Sequence, residues 1–245
     1  MIERSPDYRQ RIFDYYVSSG QATNDPETAL STREASLAKL IQHHFPPDRD
    51  IAGIDLGCGY GALLHFAHRE GYHGLRGVDA SPEQVDLARK LGIENVSRND
   101  LWSTLRELPD ASQDLVVTAD VLEHIPKDQL VSIVDHVHRV LRPGARWIIT
   151  TPNGESPLSG RTRYGDLTHE LAFTRLSLQT LLLASGFSRM DCFETSPVRK
   201  GLVGTIRWLV WKGIRASLRI YLAAESGERR PEVIFTQNLL AVAYK

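Results

Sequence analysis

The sequence predicts a doubly wound α/β domain with a mostly parallel sheet. Three observations carry that expectation. Residues 51–64 form a short apolar run that ends in Gly57, Gly59 and Gly61 and passes into helix formers from Ala62. That is how a buried strand turns sharply into a helix, with glycine supplying the backbone angles and the close approach to a ligand. Strand-like and helix-like segments then alternate without interruption as far as Thr151, the pattern of a parallel sheet covered on both faces. Asp55, Asp79, Asp100 and Asp120 fall at the carboxyl ends of strand segments, where open sheets of this kind hold their ligands.

Taken in order, residues 5–19 carry Tyr8, Ile12, Phe13, Tyr16 and Val17 and predict a short amphipathic helix ending at Gly20. Asn24-Asp25-Pro26 starts a second helix that runs to about His44, with Leu30, Leu37, Leu40 and Ile41 on one face. Residues 1–47 are thus a helical cap, with Tyr15, Tyr16 and Arg33 as candidates for a lid, and residues 48–245 form the main domain. A helix over about 60–70 leads to a second strand at Leu75–Asp79, and Ser81-Pro82-Glu83 opens the next helix with an N-cap and a first-turn proline. The third strand is expected over 96–100, the fourth over 114–119, and a helix from Lys127 to Leu141 stops at Pro143-Gly144. Residues 147–151 make the fifth strand, 176–185 a helix, 187–193 the sixth strand and 233–243 a long last strand.

Composition narrows the function. The chain has 245 residues, 42% hydrophobic and 24% charged, which suits one large α/β domain with a small appendage. A net charge of −1 gives the whole molecule no strong field for nucleic acid. Two cysteines, Cys58 and Cys192, make no disulfide framework and fit a reducing cytoplasm. The polar start is unlike a signal peptide, and no apolar run is long enough to span a bilayer.

Two cofactors fit the glycine turn. Gly57, Gly59 and Ala62 satisfy G-x-G-x-x-[GA], with Asp79 near the place of a ribose-binding acid, which admits a nicotinamide dinucleotide. Asp55, two residues before the first glycine, argues against it, because a carboxylate there repels a pyrophosphate and attracts an ammonium or sulfonium. The string Asp55-Leu56-Gly57-Cys58-Gly59-Tyr60-Gly61 resembles the first motif of class I S-adenosylmethionine-dependent methyltransferases. The resemblance implies a seven-stranded Rossmann-like sheet whose last strand is antiparallel and inserted between the fifth and sixth. It also implies that Asp55, Gly57, Cys58, Gly59 and Gly61 face the methionine part of S-adenosyl-L-methionine. Asp79 would take the ribose hydroxyls beside Ala80, Asp100 the adenine amino group beside Leu101, with Asp120 completing the cofactor side. For Asp100, the capping of a following turn is the competing reading.

The acceptor side has two candidate stretches. If Asp120–His124 turns as a helix, Asp120, Glu123 and His124 share a face through i, i+3, i+4 spacing. The polar insertion 152–175 contains Asp166, Thr168, His169, Glu170 and Phe173, and its length marks a functional loop. His169 and His124 are the candidate catalytic bases. Asp120, Glu123, His124 and His169 form an oxygen/nitrogen set suited to Mg2+ or another divalent metal. The Glu-His pair with a later Thr-His and Phe resembles ubiquinone-pathway O-methyltransferases and small-RNA 2′-O-methyltransferases, though Asp120 stands where the RNA enzymes have glutamate. The expected reaction is O-methylation of a small-molecule, sugar or lipid-linked hydroxyl. N-methylation, a nicotinamide oxidoreductase and a non-catalytic cofactor-binding module remain alternatives. Finally, residues 199–224 combine helical apolar spacing, Trp208 and Trp211 with charges that are all basic. That pattern fits either a peripheral membrane contact or a helix packed on its own domain or on another subunit.

Overall fold

The computed structural model describes residues 8–21, 25–230 and 232–245. Its elements run α1 (Tyr8–Phe13), α2 (Pro26–His44), β1 (Gly53–Leu56), α3 (Ala62–Arg69), β2 (Leu75–Asp79), α4 (Pro82–Lys90), β3 (Val96–Arg98) and α5 (Leu101–Glu107). Then come β4 (Gln113–Ala119), a 3-10 turn (Leu122–His124), α6 (Lys127–Val140), β5 (Leu141–Pro152), α7 (Ser159–Arg163) and α8 (Arg175–Ala184). The described chain closes with β6 (Arg189–Glu194), α9 (Gly201–Glu225) and β7 (Asn238–Tyr244). The seven strands lie in the order β3-β2-β1-β4-β5-β7-β6. β7 runs antiparallel to both β5 and β6, and the β1–β5 pairings are all parallel.

The period of two along each strand sorts the core into two layers. Ile54, Leu56, Val116, Trp147 and Ile149 face one side, where α5, α6 and α8 supply Leu105, Val134, Val137, Leu178 and Leu182. Leu75, Leu115, Val117 and Ile148 face the other, against Leu37, Ile41, Leu63, Phe66 and Val85 of α2, α3 and α4. Trp147 is fully buried and its Nε1 donates to Thr118 Oγ1 at 3.0 Å, so the largest core side chain leaves no polar atom unpaired.

Four expectations need correcting. The first helix is only Tyr8–Phe13; hydrogen-bonded turns carry the chain on to Gly20, while residues 5–7 and Asn24 lie outside the described residues. β5 follows α6 directly, because Pro143 and Gly144 are taken into the strand at a register shift opposite Gln113 and Leu115. The last strand starts only at Asn238; Asn153 Nδ2 holds the carbonyls of Ile234 and Thr236, so that stretch does not join the ladder. Helix α5 was not expected, and its N-cap is Asp100, which accepts from Ser103 N at 2.9 Å.

Candidate active site

A cavity of about 1520 Å³ opens at the carboxyl ends of β1, β2 and β4. Asp55, Gly57, Cys58, Gly59, Asp79, Ala80, Asp100, Leu101, Asp120 and His124 all line it, so the strand-end residues meet in one space. Gly61 stands just behind as the left-handed N-cap of α3. The N-terminal segment borders the cavity through Phe13, Tyr16 and Arg33.

The glycine turn needs its glycines for a reason visible in the packing. Gly57 has φ +76°, and a Cβ there would sit 2.5 Å from Val121 Cγ2. The close approach of β1 and the segment after β4 forms the cavity floor. Asp79 reaches back over this turn: its Oδ2 accepts from Gly59 N and its Oδ1 from Ser81 N, both at 2.8 Å. Each oxygen keeps a lone pair for a further donor, which suits two neighbouring hydroxyls. Burial raises the Asp79 carboxyl above its usual range, opposed by those two N–H groups.

Asp55 is different. Its Oδ1 is buried with no hydrogen-bond partner. Burial first, then the nearby charge of Asp79, pushes its pKa up to about 7, with Arg33 pulling the other way. A buried carboxylate with an unsatisfied oxygen is costly unless something cationic meets it. The donor set therefore fits a cofactor that carries an ammonium and vicinal hydroxyls, and fits a pyrophosphate poorly. Asp100 borders the cavity while capping α5, so one of its oxygens is already engaged and the capping reading holds.

On the acceptor side a hydrogen-bond chain fixes two imidazoles. Tyr16 Oη donates to Asp166 Oδ2 at 2.8 Å, and Thr168 Oγ1 donates to Asp166 Oδ1 at 2.6 Å. Having spent its proton on a carboxylate, the Thr168 hydroxyl can only accept from His124 Nδ1, 2.7 Å away. His169 Nδ1 faces the carbonyl of Thr162 at 2.9 Å and must also be the protonated nitrogen. In both rings Nε2 thus carries the lone pair. The rings lie edge-to-face with centroids 4.6 Å apart. Burial, followed by the charge of His169, pushes the His124 pKa down to about 4. Burial alone would raise Asp166, but the hydrogen bonds from Thr168 and Tyr16 hold it below the usual carboxylate range.

Glu123 is fully buried; its Oε2 accepts from Thr151 Oγ1 at 3.1 Å and its Oε1 has no hydrogen-bond partner. Burial and the charge of Asp120 drive its pKa well up. Ligand-capable atoms of Glu123, His124 and His169 lie within 4.8 Å of one another. Asp120 is not in that set, which corrects the four-residue expectation. The cause is its backbone: φ +57° breaks the helical spacing, and Oδ1 accepts from Asn238 Nδ2 at 3.0 Å instead. Glu123 and His169 stand behind His124 rather than on the cavity wall, and Phe173 is buried in the core. Tyr16, a lid candidate that lines the cavity, additionally donates to Asp166, whereas Thr168 and Asn238 were not foreseen in these roles. The Asp-x-Thr spacing, an Asx turn in which Thr168 N donates to Asp166 Oδ1 at 2.8 Å, was a readable signal for one of them.

Residues 54–144 match a family model described as a methyltransferase domain. The seven-stranded sheet around them has the Rossmann-like methyltransferase fold. Ajmaline N-methyltransferase of Rauvolfia serpentina is 30% identical to it over 159 residues, 54% of this chain and 52% of the relative. The mitochondrial ubiquinone biosynthesis O-methyltransferase of Dictyostelium discoideum is 31% identical over 113 residues, 41% of this chain and 35% of the relative. The chain thus spans about half the length, or less, of these curated relatives. A crystal structure of a SAM-dependent methyltransferase from Archaeoglobus fulgidus superposes with a TM-score of 0.65 at 22% identity, covering 87% of this chain and 94% of that one. Among the described residues of the methyltransferase, no helix is long and apolar enough to cross a membrane.

Proposed function

We propose that the protein transfers a methyl group from S-adenosylmethionine to a hydroxyl oxygen of a small-molecule, sugar or lipid-linked acceptor. The observation that carries this reading is His124 on the cavity wall, its Nε2 holding the lone pair, backed by His169 and by the buried Glu123 carboxylate with its unpartnered oxygen. A hydroxyl must lose its proton to become a nucleophile, whereas a neutral amine attacks without that help. A site built for N-methylation would not need this machinery.

In this reading Asp55 takes the ammonium of the cofactor and Asp79 its ribose hydroxyls, which their positions on the cavity lining support. S-adenosylmethionine supplies a methyl already activated by its sulfonium. The chain's share of the work is therefore alignment and proton removal. Tyr16 and Phe13 roof the cavity, Phe13 packing edge-to-face on His124 with ring centroids 5.8 Å apart, and so exclude water from the reacting face.

Glu123, His124 and His169 also fit a divalent metal, by donor chemistry and by the second-shell bonds that set both tautomers. Such an ion would lower the pKa of an acceptor hydroxyl. An acceptor screen with labelled cofactor, run with magnesium and with a chelator, tests both readings. His124→Ala is expected to cut turnover on a hydroxyl acceptor about a hundredfold or more while leaving S-adenosylhomocysteine binding intact. Undiminished turnover in that variant would remove the proton-transfer role. Full activity in chelator would remove the metal.

A further inference from the structure

Helix α9 is amphipathic in the wrong sense for a helix packed on its own domain. Over its 25 residues no side chain is buried. Gly204, Trp208, Trp211, Arg215, Leu218 and Leu222 are half-buried and form the seam that meets the domain, where Arg215 Nε pairs with Glu194 Oε2 at 2.8 Å. At about 100° per residue, the opposite arc holds Leu202, Val203, Ile206, Leu209, Val210 and Ile220. Each of these is between 51% and 77% exposed. Of the two hydroxyls on this arc, Ser217 donates to Gly213 O at 3.1 Å within the helix, and Tyr221, in line with Val203 along the helix, is 61% exposed. A stripe of aliphatic side chains this long is not the scatter expected on a free surface.

The charges decide what covers it. Residues 199–224 contain six basic side chains and no acidic one. Arg207 lies at one border of the apolar arc, and Lys212 and Arg219 lie at the other. A second copy seated arc to arc would set these basic borders mostly against each other, since Glu225, the last residue of α9, is the single acid on the helix. A surface carrying its own negative charge meets both features at once.

We propose that α9 docks flat on an anionic lipid bilayer, its aliphatic arc sunk into the headgroup boundary and its basic borders against lipid phosphates. At roughly 1.5 Å per residue the helix is about 38 Å long, enough for a stable in-plane anchor. Its N-terminus adjoins the cavity rim, which Phe193, Glu194, Thr195, Ser196 and Val198 form. Docking therefore brings the cavity to the membrane surface. That this presents a lipid-borne hydroxyl to the site is a consequence resting on the methyl-transfer reading; the docking itself does not.

Vesicle flotation tests the docking. The full chain is expected to float with mixed phosphatidylcholine–phosphatidylglycerol vesicles at low salt. About tenfold less should float with pure phosphatidylcholine or in high salt. I206E/V210E, which places two carboxylates in the arc, should abolish flotation. Because α9 lies outside the cofactor cavity, the same variant should keep the wild-type rise in melting temperature on S-adenosylhomocysteine, which certifies its fold. A wild-type protein that stays in the soluble fraction with mixed vesicles overturns the proposal. So does an I206E/V210E variant that still floats but turns a sedimenting dimer into a monomer, which would make the arc an interface between copies. Loss of methyl transfer with flotation intact would count against the catalytic reading alone.

Discussion

Asp55 combines full burial with an oxygen that the rest of the protein leaves unsatisfied. With its pKa near 7, it is largely protonated below neutrality in the cofactor-free protein. The sign follows directly. The folded value lies above the ordinary 3.8, so the stability contributed by the neutral carboxyl is present at low pH and fades as pH rises toward 7. An ammonium favours the ionised form, so binding the cofactor releases a proton whenever Asp55 starts out neutral. Affinity for S-adenosylhomocysteine should therefore fall by up to about tenfold from pH 7 to pH 6 and level off above pH 8. Calorimetry in buffers of different ionisation enthalpy would register the proton. Asp55→Asn should bind more weakly and lose both the slope and the proton release; a wild-type affinity flat across that range would contradict the assignment. The acid was legible in the sequence from its place before the glycines, but its raised pKa was not, since that depends first on its burial in the folded core and then on Asp79 from a neighbouring strand.

At the level of elements, the sequence reading and the structure part company where a long-range partner decides. The parallel half was readable because β1 and most of β4 are buried runs and some of the helices carry their own start signal, as Ser81-Pro82 shows for α4. The limits of β7 were not, because Ile234 and Phe235 have strand-like side chains but their neighbourhood is set by Asn153, some eighty residues earlier. Asp120 fails for a similar reason: helical spacing does not survive a left-handed residue. The segment after α1 shows the reverse case, a weak local pattern given a defined place by tertiary bonds. Val17 N donates to Glu83 Oε2 at 2.8 Å and Tyr16 to Asp166, pinning the roof to α4 and to the insertion. Tyr16→Phe removes one end of the chain that orients His124. The variant should lower kcat/KM for the acceptor by about tenfold with cofactor affinity unchanged, measured by steady-state kinetics and calorimetry. An unaltered kcat/KM would mean that the roof only excludes solvent.

For the whole molecule, one switch in strand order organises everything else. The crossover between β1 and β4 opens the cavity at the carboxyl ends, puts the carboxylates of four strand segments around it, and leaves the insertion after β5 to bring His169 to His124. Alternation in the sequence anticipated a parallel sheet covered on both faces, whereas the inserted antiparallel last strand was what the family resemblance implied. The meeting of Glu123, His124 and His169 was suspected from residue types alone, since no spacing rule joins residues more than forty positions apart. For α9 the sequence offered membrane contact and packing as alternatives, because its helical period shows two stripes without saying which one the domain covers. The central claim is that this cavity selects a cationic nucleoside donor over a pyrophosphate-bearing one. Titrating the protein at pH 8 with S-adenosylhomocysteine and, separately, with NADH tests it most directly. One-site saturable binding of S-adenosylhomocysteine with no heat from NADH is the predicted result, and binding of NADH with silence toward S-adenosylhomocysteine would contradict the account.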